Sequence, residues 1–169
     1  ITRKRRSNFS GNLVPKNFQI TDSSYGTTLA IYSCSDCGLQ FCPDAKGITE
    51  FYAEMEDSEY EATRASRTLQ AKKLVASIHP FTNIGKLLDV GAGSGIFVAE
   101  ALKAGYQATG VEPSRSLVDI ARGHGITIEE GTLTLPKSSG TFDVVTLVDV
   151  IEHVEDPAGM MENAAAHLK

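Results

Sequence analysis

No stretch of this sequence is apolar over the length a membrane helix needs, and no signal-peptide pattern opens it. A cytoplasmic protein is therefore the expectation. Cysteine is scarce, and its odd number, three, disfavours a secreted disulfide framework. Positive charge is not in excess: 16 Lys and Arg stand against 21 Asp and Glu, so a general nucleic-acid footprint is not expected. The one basic cluster, Arg3-Lys4-Arg5-Arg6, reads as a solvated, mobile tail. There is no repeat and no low-complexity tract. The first residue is Ile1 rather than methionine, and the last segment, MMENAAAHLK, is a helical pattern without a cap or a closing strand. Sequence is expected to be missing at both ends.

What is present begins with a segment, residues 1–53, poor in helical periodicity and holding all three cysteines. Good helix formers run from Glu54 to His79, where Pro80 stops them. Beyond that, strands and helices alternate. KLLDVG, QATGVEP, ITIEEG and FDVVTLVDV read as strands. GIFVAEALKAG, SRSLVDIARGHG and DPAGMMENAAAHLK read as helices, with Gly105 as a stop signal and Ser114 and Asp156 as caps. Such alternation predicts βαβ units on a parallel sheet covered on both faces.

The stretch LLDVGAGSG, residues 87–95, ends a strand in alternate glycines. Glycine there permits positive φ and lets a ligand approach the backbone without a Cβ in the way. The helix that follows presents unpaired N–H groups and a positive dipole end. A tight turn with no ligand is the alternative. The dinucleotide fingerprint G-x-G-x-x-G misses its third glycine, because position 96 is Ile, and no Gly-Lys-Ser/Thr of a P-loop follows.

An acid followed by G-x-G-x-G after the first strand resembles the first motif of class I S-adenosylmethionine-dependent methyltransferases. The resemblance runs over most of residues 50–169. It includes Glu112 at the end of the second strand and FDVVTLVDVIEHVEDP at the fourth. It implies that Asp89 orients the glycine loop or the cofactor amino group, and that Gly91, Ala92, Gly93 and Gly95 line the methionine and ribose. Glu112 would take the ribose hydroxyls, with Pro113 beside the adenine and Val148 and Asp149 facing the methionine portion. Many relatives carry an Asp after the third strand. Here Thr132 stands in its place, so the Thr132 hydroxyl or the Leu133 N–H would meet the adenine.

His153 is the base candidate, since histidine titrates near neutrality. Packing at the pocket floor is its alternative role. Asp149, Glu152 and His153 also resemble the D/E-x-x-E-H arrangement by which some relatives hold a divalent cation, although Glu152 is equally read as a solvated or dipole-favoured carboxylate. Phe51, Tyr52 and Tyr60 flank the helix that, in the family, folds over the cofactor; ordinary amphipathic core packing is the equal alternative for each. Arg64 and Arg67 lie within reach of a cofactor carboxylate or are simply exposed.

Cys34 and Cys37 form C-x-x-C followed by glycine, as in a zinc knuckle, with Cys42 nearby and no second knuckle. Some methyltransferases carry an N-terminal zinc ribbon ending in such a segment. The expected organisation is therefore an N-terminal segment with a partial zinc-ribbon knuckle over 1–50, a helical lid or linker over 51–82, and the first part of a methyltransferase domain over 83–169. The expected fold is a Rossmann-like parallel sheet with helices on both faces, truncated after the fourth strand and its helix. FDVVTLVDV would then be a long apolar edge, covered by a missing C-terminal part or a second copy. The expected activity is methyl transfer from S-adenosylmethionine to a small-molecule acceptor such as a sugar, lipid or polyketide-like compound. A non-catalytic binding module is the runner-up. A nucleotide-sugar or NAD enzyme is disfavoured by Ile96, and an RNA methyltransferase by the acidic balance.

Overall fold

The computed structural model describes residues 1–5, 7, 11, 29–43, 47–54, 60–82, 84–131 and 141–169. Two sheets are present among them. The smaller is antiparallel, in the order β1 (Thr2–Arg5), β2 (Ile31–Ser33), β3 (Gln40–Phe41), with an irregular register between Arg3 and Arg5. The backbone of the basic cluster is thus a paired strand over Thr2–Arg5, not a mobile tail. Its partner β2 lies far along the chain, so local composition carried no sign of the pairing.

The larger sheet is parallel throughout. It contains β4 (Lys86–Val90), β5 (Gln107–Glu112), β6 (Ile128–Glu130) and β7 (Val144–Thr146), ordered β6-β5-β4-β7. Helices α1 (Ile48–Ala53), α2 (Arg64–Ile78), α3 (Ile96–Lys103), α4 (Arg115–Gly123) and α5 (Pro157–Ala166) surround it. Successive strand residues face opposite ways, and the core divides accordingly. Leu87, Ala108 and Val144 pack with apolar residues of α2, α3 and α4. Leu88, Val90 and Val111 pack with Phe142, Val150 and Met160 of α5. Burying Leu87 completely in this way makes its truncation to alanine worth about 2–5 kcal/mol.

Local signals placed the helix ends. Ser114 Oγ accepts the Leu117 N–H at 3.4 Å to open α4, and Asp156 accepts the Gly159 N–H at 2.9 Å to open α5, with Pro157 in its first position. The fourth strand is shorter than its apolar run. After Thr146 the chain turns, Asp149 takes a left-handed φ of 55°, and a 3-10 turn spans Ile151–His153. Leu147 and Val150 are apolar because they pack on the sheet face, not because the strand continues, a distinction periodicity cannot make in a short run. On the outer side of this strand the Phe142 N–H donates to the His167 carbonyl at 2.8 Å, and the Lys169 N–H donates to Phe142 at 3.0 Å. The result is one parallel bridge between Phe142 and Leu168. No helix among the described residues is long and apolar enough to cross a membrane.

Candidate functional site

The chain runs from β4 outward to β5 and β6, then crosses to the other side of β4 for β7. Where strand order reverses, the loops leaving the carboxyl ends part and open a crevice. The GAGSG turn leaves β4 at that point. Gly91, Gly93 and Gly95 have φ of 72°, 54° and 75°, so a side chain would be strained at each. A Cβ on Gly91 would lie 2.5 Å from Val150 Cγ2, and one on Gly93 would lie 2.5 Å from the Tyr60 hydroxyl. The Gly91 and Ala92 N–H groups both donate to the Val111 carbonyl, at 2.8 and 3.1 Å, which ties the turn to β5.

Two carboxylates lie beneath the turn. Glu112, 5% exposed, ends β5 and accepts the Gly93 N–H on one oxygen and the Ser114 N–H on the other, each at 2.9 Å. Burial pushes its pKa up, and those two N–H groups work against the rise. Asp89, 3% exposed, accepts the Thr146 hydroxyl at 2.6 Å. Burial lifts it to about 7; the Thr146 bond opposes this, while the Glu112 charge adds to it. Both groups are held where ionisation is costly. Pro113 is buried beside Glu112.

Residues from earlier in the chain cover this arrangement. Tyr60 is buried with its hydroxyl against Gly93, and the Arg67 guanidinium lies 4.3 Å from its ring centroid. Burial, with Glu112, Asp89 and Glu61 adding to it, raises the phenol pKa despite the Arg67 charge. Tyr52 of α1 meets the His153 ring edge-on, centroids 5.6 Å apart. Burial first, then the charges of Glu152 and Glu112, pushes Tyr52 up to about 12. The Gly47 N–H, just before α1, donates to the Glu155 carboxylate, fastening this helix to the loop after β7.

The structure therefore brings Asp89, the glycine turn, Glu112, Pro113 and His153 to one end of the sheet. Val148 is half-buried against the core, and Asp149 is exposed. Thr132 and Leu133 lie outside the described residues. Arg67 donates to the Thr63 hydroxyl at 2.9 Å, and Arg64 to the Glu61 carboxylate. Asp149, Glu152 and His153 do not gather: among the described residues no three His, Cys, Asp or Glu side chains could hold a metal ion. The nearest approach of the last two is 3.9 Å.

Cys34 and Cys37 lie in a tight turn after β2. The Cys34 N–H donates to the Leu39 carbonyl at 2.8 Å, the Gly38 N–H donates to Cys34 at 3.0 Å, and Gly38 has φ of 76°. The Cys37 and Asp36 N–H groups lower the Cys34 thiol pKa. Two cysteines are half of the four ligands a structural zinc needs, and the described residues do not complete the set.

Thr146, Val150 and the Ser94 hydroxyl carried no sequence signal of their own. Thr146 had only its place in a strand, and Val150 only its apolarity. Each meets its partner through pairing or packing between segments far apart in the chain.

A methyltransferase-domain family model matches residues 58–169. The ubiquinone biosynthesis O-methyltransferase of Coxiella burnetii is 37% identical over 49% of this chain and 38% of its own length. That of Vibrio parahaemolyticus is 37% identical over 50% and 39%. Among solved structures, an SAM-dependent methyltransferase of Thermotoga maritima superposes with a TM-score of 0.56 at 27% identity, over 72% of this chain and 57% of that one. Magnesium protoporphyrin IX methyltransferase from Synechocystis, solved with bound SAM, gives 0.54 at 20% identity, over 68% and 61%, and so shares the fold. The chain spans about two fifths of the length of the curated relatives it matches. Because that family model spans residues 58–169, well over half of the sequence, the chain belongs to the methyltransferase-domain family.

Proposed function

We propose that this chain binds S-adenosylmethionine and forms the cofactor half of a methyltransferase acting on a small-molecule acceptor. One observation carries the reading: a buried carboxylate, Glu112, is clamped to the middle glycine of a turn whose three glycines are all left-handed. Each Glu112 oxygen accepts one backbone N–H and keeps a lone pair, so the carboxylate can still accept both hydroxyls of a ribose. The space a Cβ would take at Gly91 and Gly93 holds Val150 and the Tyr60 hydroxyl, so the glycines let those two groups close on the turn. The residues present fit the cofactor.

When bound, S-adenosylmethionine supplies an electrophilic sulfonium methyl. Glu112 orients the ribose, and Gly91, Ala92, Gly93 and Gly95 line its path. Asp89 and the β7-end residues Val148 and Asp149 bound the methionine side. Tyr60 and Tyr52 shield the crevice from water. In-line placement supplies much of the rate in such a transfer. His153, on an exposed turn and steadied by the Tyr52 ring, takes a proton where the acceptor nucleophile carries one. Thr132 or Leu133 completes the adenine contacts, and Cys34 with Cys37 supplies two ligands of a structural zinc. The ubiquinone-pathway relatives methylate oxygen by their names, which favours a hydroxylated small molecule as acceptor.

Calorimetric titration with S-adenosylhomocysteine, with NADH as control, tests the reading. Saturable binding of the former alone is expected. It should vanish in Gly93→Val, whose Cβ meets the Tyr60 hydroxyl at 2.5 Å and whose φ of 54° strains a β-branched residue. It should weaken at least tenfold in Glu112→Ala, the loss of charge-assisted bonds to a diol. A folded sample that takes up no S-adenosylhomocysteine refutes it.

A further inference from the structure

The glycine turn has a mechanical weakness. Its left-handed glycines carry no side chains, so they are held through backbone N–H bonds alone, and glycine has the most conformational freedom to lose on ordering. Ser94 is the turn's one polar side chain and is fully buried. Its hydroxyl donates to Glu61 Oε1 at 2.5 Å, a residue 33 positions earlier, and accepts from Arg64 Nη1 at 3.2 Å. Arg64 also donates to both Glu61 oxygens, at 3.1 and 2.9 Å, which closes a three-membered ring of contacts. His124, at the C-terminal cap of α4, brings Nε2 to 3.5 Å from Glu61 Oε2. The neighbouring Tyr60 rests its hydroxyl on Gly93.

We propose that Glu61, acting through Ser94, is a positioning residue for the glycine turn and sets its affinity for the adenosyl cofactor without touching it. The deduction rests on the cofactor reading above. A turn already held in its left-handed shape loses less freedom when a ligand arrives, and that saving appears as affinity. Glu61 suits the task because one carboxylate reaches three elements at once: the turn through Ser94, the start of α2 through Arg64, and the end of α4 through His124. Ser94 suits it because its hydroxyl is the turn's one side-chain handle for a hydrogen-bond partner.

The test is S-adenosylhomocysteine calorimetry on the parent, Glu61→Ala, Glu61→Gln, Ser94→Ala and the Glu61→Ala/Ser94→Ala double variant, with Gly93→Val as the non-binding control. Each alanine variant should raise Kd about tenfold, the effect of one charge-assisted hydrogen bond. The double variant should be no weaker than the weaker single one, because both remove the same contact. Glu61→Gln keeps an acceptor for the Ser94 hydroxyl and should restore most of the affinity. In protein labelled with 3-fluorotyrosine, the Tyr60 fluorine signal, assigned by Tyr60→Phe, should move in Glu61→Ala without ligand. A purely structural role would lower the melting temperature while leaving Kd and that signal in place. Kd within twofold of the parent in both single variants, or additive losses in the double, overturns the proposal and leaves the cofactor reading standing. A folded parent that binds no better than Gly93→Val overturns both. Glu61 is partly exposed, so its glutamine variant folds even if an alanine variant does not.

Discussion

Asp89 shows at the residue scale how a site can cost the fold that carries it. Its carboxyl is buried, receives one hydroxyl, and sits in the field of Glu112. Because its folded pKa is raised from 3.8 to about 7, the folded chain holds a proton there that the unfolded chain releases. The stability Asp89 contributes is therefore complete below pH 3.8 and is lost as pH rises through 7. Asp89→Asn keeps an acceptor for Thr146 and removes the ionisation. It should be more stable than the parent at pH 8, by about 2–4 kcal/mol, and nearly equal to it at pH 4. Urea unfolding at the two pH values measures the gap, and a gap that fails to widen with pH would mean Asp89 is better solvated than its burial implies.

Elements meet at Gly110 of β5 with little room to spare. A Cβ there would stand 2.5 Å from the Ala92 Cβ, 3.2 Å from Val98 Cγ2 and 3.3 Å from the Asp89 carbonyl oxygen. The spacing of β5, the glycine turn and α3 thus depends on the absence of one methyl group. Gly110→Ala should cost about 1–3 kcal/mol by denaturant unfolding, as overpacking does, and should weaken S-adenosylhomocysteine binding by displacing the turn. The same contrast between local and distant causes decides what could be read from the chain. Ser114, Asp156, Gly105 and the three glycines act within a turn or so of their own position, and their elements were legible. The end-of-strand place of Glu112 followed from a resemblance spanning several motifs. The three-residue length of β7, the pairing of β1 and the bond from Thr146 to Asp89 were not legible, because each is settled by a partner tens of residues away. The same holds for the grip of Glu61 on Ser94. The turn at Cys34 was legible from C-x-x-C-G; a complete metal-ligand set is absent among the described residues.

Across the whole molecule, ligand and fold are linked. S-adenosylhomocysteine at a hundred times its Kd should stabilise the chain by about 2.7 kcal/mol. For a chain of this size that corresponds to a melting temperature higher by about 5–10 °C. Gly93→Val should show no rise, and a rise in that variant would place the ligand elsewhere.

The position of β4 between β5 and β7 also sets an order of events during folding. Leu87 pairs with Ala108 after a loop of roughly 20 residues and with Val144 after one of roughly 60, a difference of about 1 kcal/mol in closure entropy. The shorter unit, β4–α3–β5, carries the glycine turn and Glu112 and should form first. β7 joins afterwards, and with it come Thr146, Val150 and the far wall of the crevice. Pulse-labelled hydrogen exchange during refolding should protect the Val90 and Val111 region before Val145, and the reverse order would show that β7 nucleates the sheet. The glycine turn and its Glu112 clamp should thus be built early, while the crevice they open into should exist only once β7 has docked.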